Sequence, residues 1–356
     1  MTDSARVAPD LIAWHARHGR HDLPWQHEPT PYRVWVSEIM LQQTQVATVS
    51  AYYTRFMQRF PDVRTLAAAP LDDVLHLWSG LGYYSRGRNL HRAAQLMCEQ
   101  HGGELPDSFE QLQQLPGIGR STAAAIRALS RGESRAILDG NVRRVLMRYF
   151  AIGSPPGQAA VERRLWELAE GCTPQEQVAT YTQAIMDLGA TVCVRRRPLC
   201  AACPLHDGCR ARRTGRQHSI PAPRARPVRR TQSVVMLLVQ RSDGGVLLER
   251  RPERGVWGGL WSPPQFPSIE AARLYADTRL TAAEVEPAAR ERMRHAFTHF
   301  DLDIMPLLAR CTGIVGSMAG VMDGGIDGVA TLWYNAAQPE RVGLPAPVAQ
   351  LIRSLS

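Results

Sequence analysis

The chain contains no lysine; all 42 of its basic side chains are arginine. Any mechanism that needs a lysine amine, a lysine Schiff base included, is therefore excluded. Long apolar runs are missing too. The longest aliphatic stretch, Val234 to Val239, falls far short of the roughly 20 residues a membrane-spanning helix needs, and Met1 to Asp10 has no apolar signal core. A cytoplasmic location with no membrane partner is expected. Acidic residues are in deficit, 33 against 42 basic, giving a net charge of +9. That excess suits a polyanionic partner such as nucleic acid, although a merely basic enzyme carries the same sign. What remains is ordinary globular composition, 44% hydrophobic and 21% charged, unlike a disordered tail, a collagen or a small disulfide scaffold. At about 150 residues per domain, the 356 residues predict two domains.

The first two hundred residues read as helical. Amphipathic runs lie at 32–50, 71–77, 89–99, 121–130, 142–150, 159–170 and 177–188, with Pro and Gly at their breaks. Between Arg210 and Arg230 stand eight arginines, three prolines and no acid. Such a composition neither packs nor forms a regular helix, and it reads as an interdomain linker able to lie on DNA. Beyond it the period changes. Residues 231–240 and 246–250 read as strands around the turn Ser242 to Gly245, a helix follows near 269–280, and 300–309 and 331–335 look strand-like. This is a smaller α+β domain.

Four of the seven cysteines, Cys193, Cys200, Cys203 and Cys209, form a C-x6-C-x2-C-x5-C array, while Cys98, Cys172 and Cys311 are isolated. Four thiols so close in a cytosolic protein suit a metal site better than disulfides. Zinc sites usually present two close pairs, whereas here one pair is flanked by single cysteines, so a cubane iron–sulfur cluster fits the spacing better and zinc stays open. Arg195, Arg196 and Arg197 inside the first loop would make its surface positive, which suggests a folding role and a DNA-facing loop.

Leu115 to Gly119 joins two helices. Gly117 and Gly119 permit a tight turn with positive φ, and the helix start that follows offers amides for a phosphate oxygen, as a generic helix–helix turn also would. Further on, Asp139 precedes a helix, where as N-cap it would be held ionised by backbone amides and the helix dipole. Glu38 lies in a helix expected to begin at Pro31 behind Thr30, on one stripe with Val34, Trp35 and Leu41. A carboxyl among apolar side chains has a raised pKa and can serve as a general acid. A raised carboxyl paired with an ionised one is the arrangement that cleaves glycosidic bonds, and a nucleobase N-glycosidic bond poses the same problem.

These residues resemble the adenine DNA glycosylase (MutY) family of the endonuclease III-like helix-hairpin-helix superfamily. The resemblance rests on WVSEIMLQQTQV around Glu38, GLGYYSRGRNL at Gly80 to Leu90, LPGIGRSTAAAI at Leu115 to Ile126, ILDGNVRRVL at Ile137 to Leu146 and the cysteine spacing. With the C-terminal domain these motifs cover nearly the whole chain. The resemblance implies an all-α helix-hairpin-helix glycosylase core with a [4Fe-4S] cluster loop, followed by a Nudix-like α+β domain. The implied boundaries are 1–211 for the catalytic domain (a six-helix barrel module at about 30–136, and an iron–sulfur module of 1–29 plus 137–211), 212–230 for the linker and 231–356 for mispair recognition. It further implies that Glu38 protonates the adenine ring and Asp139 stabilises the oxocarbenium ion, with Asn141 and Ser121 in support. Gln42 and Tyr83 become wedges in the base stack, beside the hairpin glycines 117 and 119, and the four cysteines hold one [4Fe-4S] cluster. An aromatic wedge has a physical basis, because it replaces stacking lost when a base is flipped out.

Bifunctional relatives carry a lysine at the position of Ser121, so a monofunctional enzyme is expected here. In the C-terminal domain, Gly255 to Trp261 and the run from His295 to Phe300 are similar to the family's 8-oxoguanine-reading domain, with no acidic Nudix hydrolase box. Phe297, Thr298 and His299 match the loop that contacts the oxidised base. Family members commonly have serine at the middle position, and Thr298 keeps the hydroxyl but adds a methyl. The reading is a monomeric glycosylase, nucleoid-associated if bacterial, that acts on double-stranded DNA to remove adenine mispaired with 8-oxoguanine or guanine. It leaves an abasic site for downstream repair enzymes. The competing readings are an endonuclease III-like pyrimidine glycosylase and lyase, which the lysine count opposes, and a non-catalytic iron–sulfur DNA-binding module.

Overall fold

Thr30 caps a helix by accepting from Arg33 N at 3.3 Å, and Pro31 supplies a preset φ at its first position. In this computed structural model, which describes residues 3–223, 228–315 and 329–355, that helix is α2 (Pro31–Leu41), preceded by α1 (Val7–His18). The run expected at 32–50 is in fact two helices. Gln43 takes a positive φ of 60° and breaks the chain before α3 (Val46–Arg59). Then come α4 (Val63–Ala68), α5 (Leu71–Trp78), α6 (Ser85–Gln100), α7 (Phe109–Gln114), α8 (Arg120–Arg131), α9 (Gly140–Tyr149), α10 (Ala159–Cys172) and α11 (Val178–Asp187). A π-helical turn, Leu188–Val192, leads from α11 into the cysteine loop, and the short α12 (Arg210–Arg213) follows it. Among the described residues no helix is long and apolar enough to cross a membrane.

The chain divides into two units, 1–68 with 89–225 and 69–88 with 226–356. One core of the first is built where α1, α9, α10 and α11 meet, around Leu11, Val145, Leu146, Leu165, Ile185 and Leu188. It extends beyond the expected boundary at residue 211. Ile220, expected in a free linker, is 1% exposed, and its carbonyl accepts from Arg148 Nε at 2.9 Å. The packed part of that segment is thus structure, and residues 224–227 lie outside the described residues.

Among the described residues the second unit holds β1 (Arg230–Arg241), β2 (Val246–Arg250), β3 (Trp261–Ser262), β4 (Gln265–Phe266), β5 (Leu280–Thr281), β6 (Glu284–Val285), β7 (Met293–Ala296), β8 (Phe300–Cys311), β9 (Gly313–Ile314) and β10 (Thr331–Tyr334), and the central β1 and β8 run parallel from Arg230↔Phe300 to Arg241↔Cys311. β2 (Val246–Arg250) pairs antiparallel with β1 across the expected turn, and β10 (Thr331–Tyr334) with β2. Along β1, Val235, Leu237 and Val239 enter one core while Met236 and Leu238 enter the other. Burial on both faces is why this strand reads as a continuous aliphatic run. α13 (Ile269–Arg279), capped by Ser268, covers one face, and α14 (Ala346–Arg353) the other. Segment 69–88 packs with this unit. Leu71, Leu75 and Tyr84 pack against Met236, Leu248 and Leu260, while the Asp72 carboxylate accepts from Arg250 Nη2 at 2.5 Å and Trp261 Nε1 at 3.0 Å. Residues 316–328 of the expected C-terminal domain lie outside the described residues.

Candidate active site and cysteine-lined cavity

In the first unit, α2 delivers Glu38 and the start of α9 delivers Asp139 to one electrostatic neighbourhood. Val34 and Trp35, on the Glu38 stripe, are 2% and 0% exposed. Glu38 keeps part of its surface open, but burial of its carboxyl, with the Asp139 carboxylate adding to it, pushes its pKa up to about 8. It is therefore protonated at neutral pH.

Asp139 caps α9 as expected, Oδ1 accepting from Val142 N at 2.8 Å. Its pKa nevertheless moves upward. Burial raises it by more than the amides of Val142 and Asn141 and the charges of Arg144 and Arg143 lower it. Glu38 feels Asp139 as a negative neighbour, so the two carboxyls titrate as a coupled pair.

The first turn of α8 anchors both carboxylate-bearing segments. Ser121 Oγ accepts from Leu138 N at 2.9 Å, one residue before Asp139, and Thr122 Oγ1 accepts from Gln42 Nε2 at 3.4 Å, one residue beyond α2. Of the two hairpin glycines only Gly117 needs its freedom, with φ of 81°. Gly119 is extended (φ −88°), a Cβ there would touch nothing within 4 Å, and no side chain caps α8. Its first-turn amides suit an anion.

From Asp139, α9 runs to the cysteines. Asn141 Oδ1 accepts from Arg144 Nη2 at 2.8 Å, and the same guanidinium donates to Gly189 O at 2.5 Å and Cys193 O at 2.7 Å. Gly189 permits this approach, because a Cβ on it would lie 2.6 Å from Asn141 Cβ. One turn further on, Arg148, 3% exposed, reaches Cys193 Sγ at 3.3 Å.

Cys193, Cys200, Cys203 and Cys209 line one cavity, walled by Val145, Leu188, Val192 and Leu205. Among the described residues no three His, Cys, Asp or Glu side chains converge closely enough to grip a single metal ion. Four cysteine thiols around one cavity supply the all-sulfur donor set that a cubane iron–sulfur cluster takes, as a four-cysteine zinc site also does. Burial, with the other cysteines' charge adding, pushes the Cys203 thiol up to about 12 and raises that of Cys209. Binding here must displace thiol protons.

In the second unit, Tyr83 has a positive φ of 46°, is 46% exposed, and meets Thr298 Oγ1 through its hydroxyl at 3.3 Å. Phe297, Thr298 and His299 form the turn between β7 (Met293–Ala296) and β8. Phe297 stacks on Phe300 at 4.6 Å and meets His295 edge-on at 4.6 Å, leaving Thr298 and His299 exposed.

Sequence reasoning missed Thr122, Arg144 and Arg148 as parts of these arrangements. The last two had a visible signal, since arginines four apart share one helix face and Arg148 sits between the apolar Val145 and Tyr149.

Residues 36–171 match the family model of the HhH-GPD superfamily of base excision DNA repair proteins, and 235–354 match that of the NUDIX domain. The adenine DNA glycosylase of Buchnera aphidicola subsp. Acyrthosiphon pisum (strain APS) is 36% identical over 349 residues, 97% of this chain and 96% of that protein. The adenine DNA glycosylase of Homo sapiens is 39% identical over 312 residues, 73% of this chain and 56% of the human protein. A solved thermostable thymine-DNA glycosylase matches with a TM-score of 0.54 and 26% identity, covering 60% of this chain and 97% of that one.

Proposed function

The chain belongs to the adenine DNA glycosylase family, and from that premise we propose that it excises adenine mispaired with 8-oxoguanine or guanine from double-stranded DNA by N-glycosidic hydrolysis. The observation that carries this reading is the unequal carboxyl pair, Glu38 raised to about 8 beside Asp139. Glu38 gives its proton to the ring of the flipped adenine, so the base leaves with the bonding electrons. Asp139 faces the oxocarbenium ion left on the sugar, and water completes the hydrolysis. Ser121 holds the Asp139 loop, and Asn141 ties it to Arg144. Gln42 and Tyr83 fill the opened stack, the amides after Gly117 and Gly119 take a phosphate, and Phe297, Thr298 and His299 read the oxidised guanine.

Cys193, Cys200, Cys203 and Cys209 hold one [4Fe-4S] cluster in this reading, which cross-links the loop after α11 and supplies a redox-capable centre. With serine at 121 and no lysine in the chain, the product is an abasic site on an unbroken strand.

Single-turnover incubation tests this, using duplexes with adenine opposite 8-oxoguanine, guanine or thymine, with and without alkali, beside Glu38→Gln. Breaks only after alkali, only at the two mispairs and absent in the variant are expected. Breaks without alkali would favour a lyase, and tight binding with no breaks would favour a binding module.

A further inference from the structure

A guanidinium withdrawn from water needs an anion or a full set of acceptors, because an uncompensated buried charge is strongly destabilising. Arg148, 3% exposed, has the acceptors but no carboxylate among the described residues. Nε donates to Ile220 O at 2.9 Å, Nη1 to Val194 O at 2.7 Å and Cys193 O at 3.3 Å, and Nη2 to Arg195 O at 3.1 Å. The remaining neighbour of Nη1 is Cys193 Sγ at 3.3 Å. By contrast, buried Arg127 is paired with both Glu133 and Asp107. Four neutral carbonyls satisfy the Arg148 N–H groups but not its charge, and among the described residues the acidic group that its hydrogen bonds reach is the Cys193 thiol in the cavity wall.

We propose that Arg148 is the buried counter-charge of the cysteine-held group and the N–H···S donor to its Cys193 corner. The inference rests on the cluster reading of the four cysteines. Two consequences follow from different parts of the side chain. The fork that ties Val194 and Arg195 within the loop to Ile220 beyond it closes the loop around its contents, and so governs how fast iron is lost. The positive charge and the hydrogen bond to sulfur favour the more negative oxidation state of the group, and so raise its midpoint potential. A merely structural arginine, tying carbonyls together, would affect the first and leave the second alone.

The test uses the intact holoprotein, its iron and sulfide content, the rate of iron release to a chelator, and the midpoint potential by protein-film voltammetry. Arg148→Met is expected to release iron about 10- to 100-fold faster, the usual range for losing an outer partner of a metal site, and to show a more negative potential. Arg148→Lys keeps the charge but not the fork. It should also release iron faster while its potential stays near the wild-type value, and it carries the test if the Met variant fails to fold. A Met protein with the wild-type potential would overturn the proposal, as would a Lys protein whose potential departs from the wild-type value, or unchanged iron release in either variant. Wild-type protein that binds neither iron nor sulfide would overturn the cofactor reading itself, a distinguishable result.

Discussion

Two regions of the helical unit bury carboxylates and treat them oppositely. Asp187, at the end of α11, is 0% exposed, and Arg20 meets it with N at 2.8 Å, Nε at 2.9 Å and Nη2 at 2.5 Å, while Gln183 adds a bond at 2.8 Å. Burial alone would raise its pKa, but the hydrogen bonds from His15 and Arg20 and the Arg20 charge outweigh it, and the net shift is downward. Glu38 meets the same desolvation without a cation, and its nearest charged influence, Asp139, pushes in the same direction. The comparison teaches that burial by itself does not separate a structural carboxylate from a reactive one. Compensation does: a paired group is locked in one protonation state, an unpaired one keeps a proton it can give away.

Removing the uncompensated carboxyl should have the largest effect. Glu38→Gln is expected to slow single-turnover excision by about 10²- to 10⁴-fold, the usual worth of a positioned general acid. The same change should raise the melting temperature above pH 8, because a carboxyl with a raised folded pKa loses stability as pH climbs from its ordinary value through the folded one. Asp187→Asn should do the reverse, lowering stability by about 3–5 kcal/mol in denaturant titration while excision by the folded fraction is retained. Its contribution to wild-type stability should hold above the ordinary carboxylate pKa and fade as acid titrates through the depressed folded value. Ser121→Ala removes the acceptor of Leu138 N. We expect a loss of about 1–3 kcal/mol and slower excision with DNA affinity kept, measured by single-turnover rates beside binding isotherms. The smallest effect belongs to the other unit, where Thr298→Val takes from exposed Tyr83 a bond worth about 0.5–1.5 kcal/mol. Preference for 8-oxoguanine over guanine should fall, and adenine chemistry at saturating enzyme should not.

Much of this arrangement was legible beforehand, for local reasons. Thr30-Pro31 announces a helix start, the stripe Val34, Trp35, Glu38 and Leu41 places a carboxyl among apolar neighbours, and the close cysteine spacing brings four thiols to one cavity. β1 and β2 were visible because their aliphatic runs flank the turn at Ser242 to Gly245. What was not legible depends on partners distant in sequence. The upward shift of Asp139 needs the enclosure around α9, and the compensation of Asp187 comes from Arg20, 167 residues away. The attachment of segment 69–88 to the C-terminal unit needs Asp72 to meet Arg250, 178 residues on. The 32–50 run failed for a conformational reason, since periodicity continues through Gln43 although its φ of 60° does not belong to a helix.

The most direct test of the unpaired-carboxyl account is the pH profile of single-turnover adenine excision opposite 8-oxoguanine, for wild type and Glu38→Gln. The account predicts a wild-type rate that falls as pH rises through about 8 and a variant whose residual rate lacks that limb. A wild-type rate that is flat across this range, or a limb that persists in the variant, would contradict it.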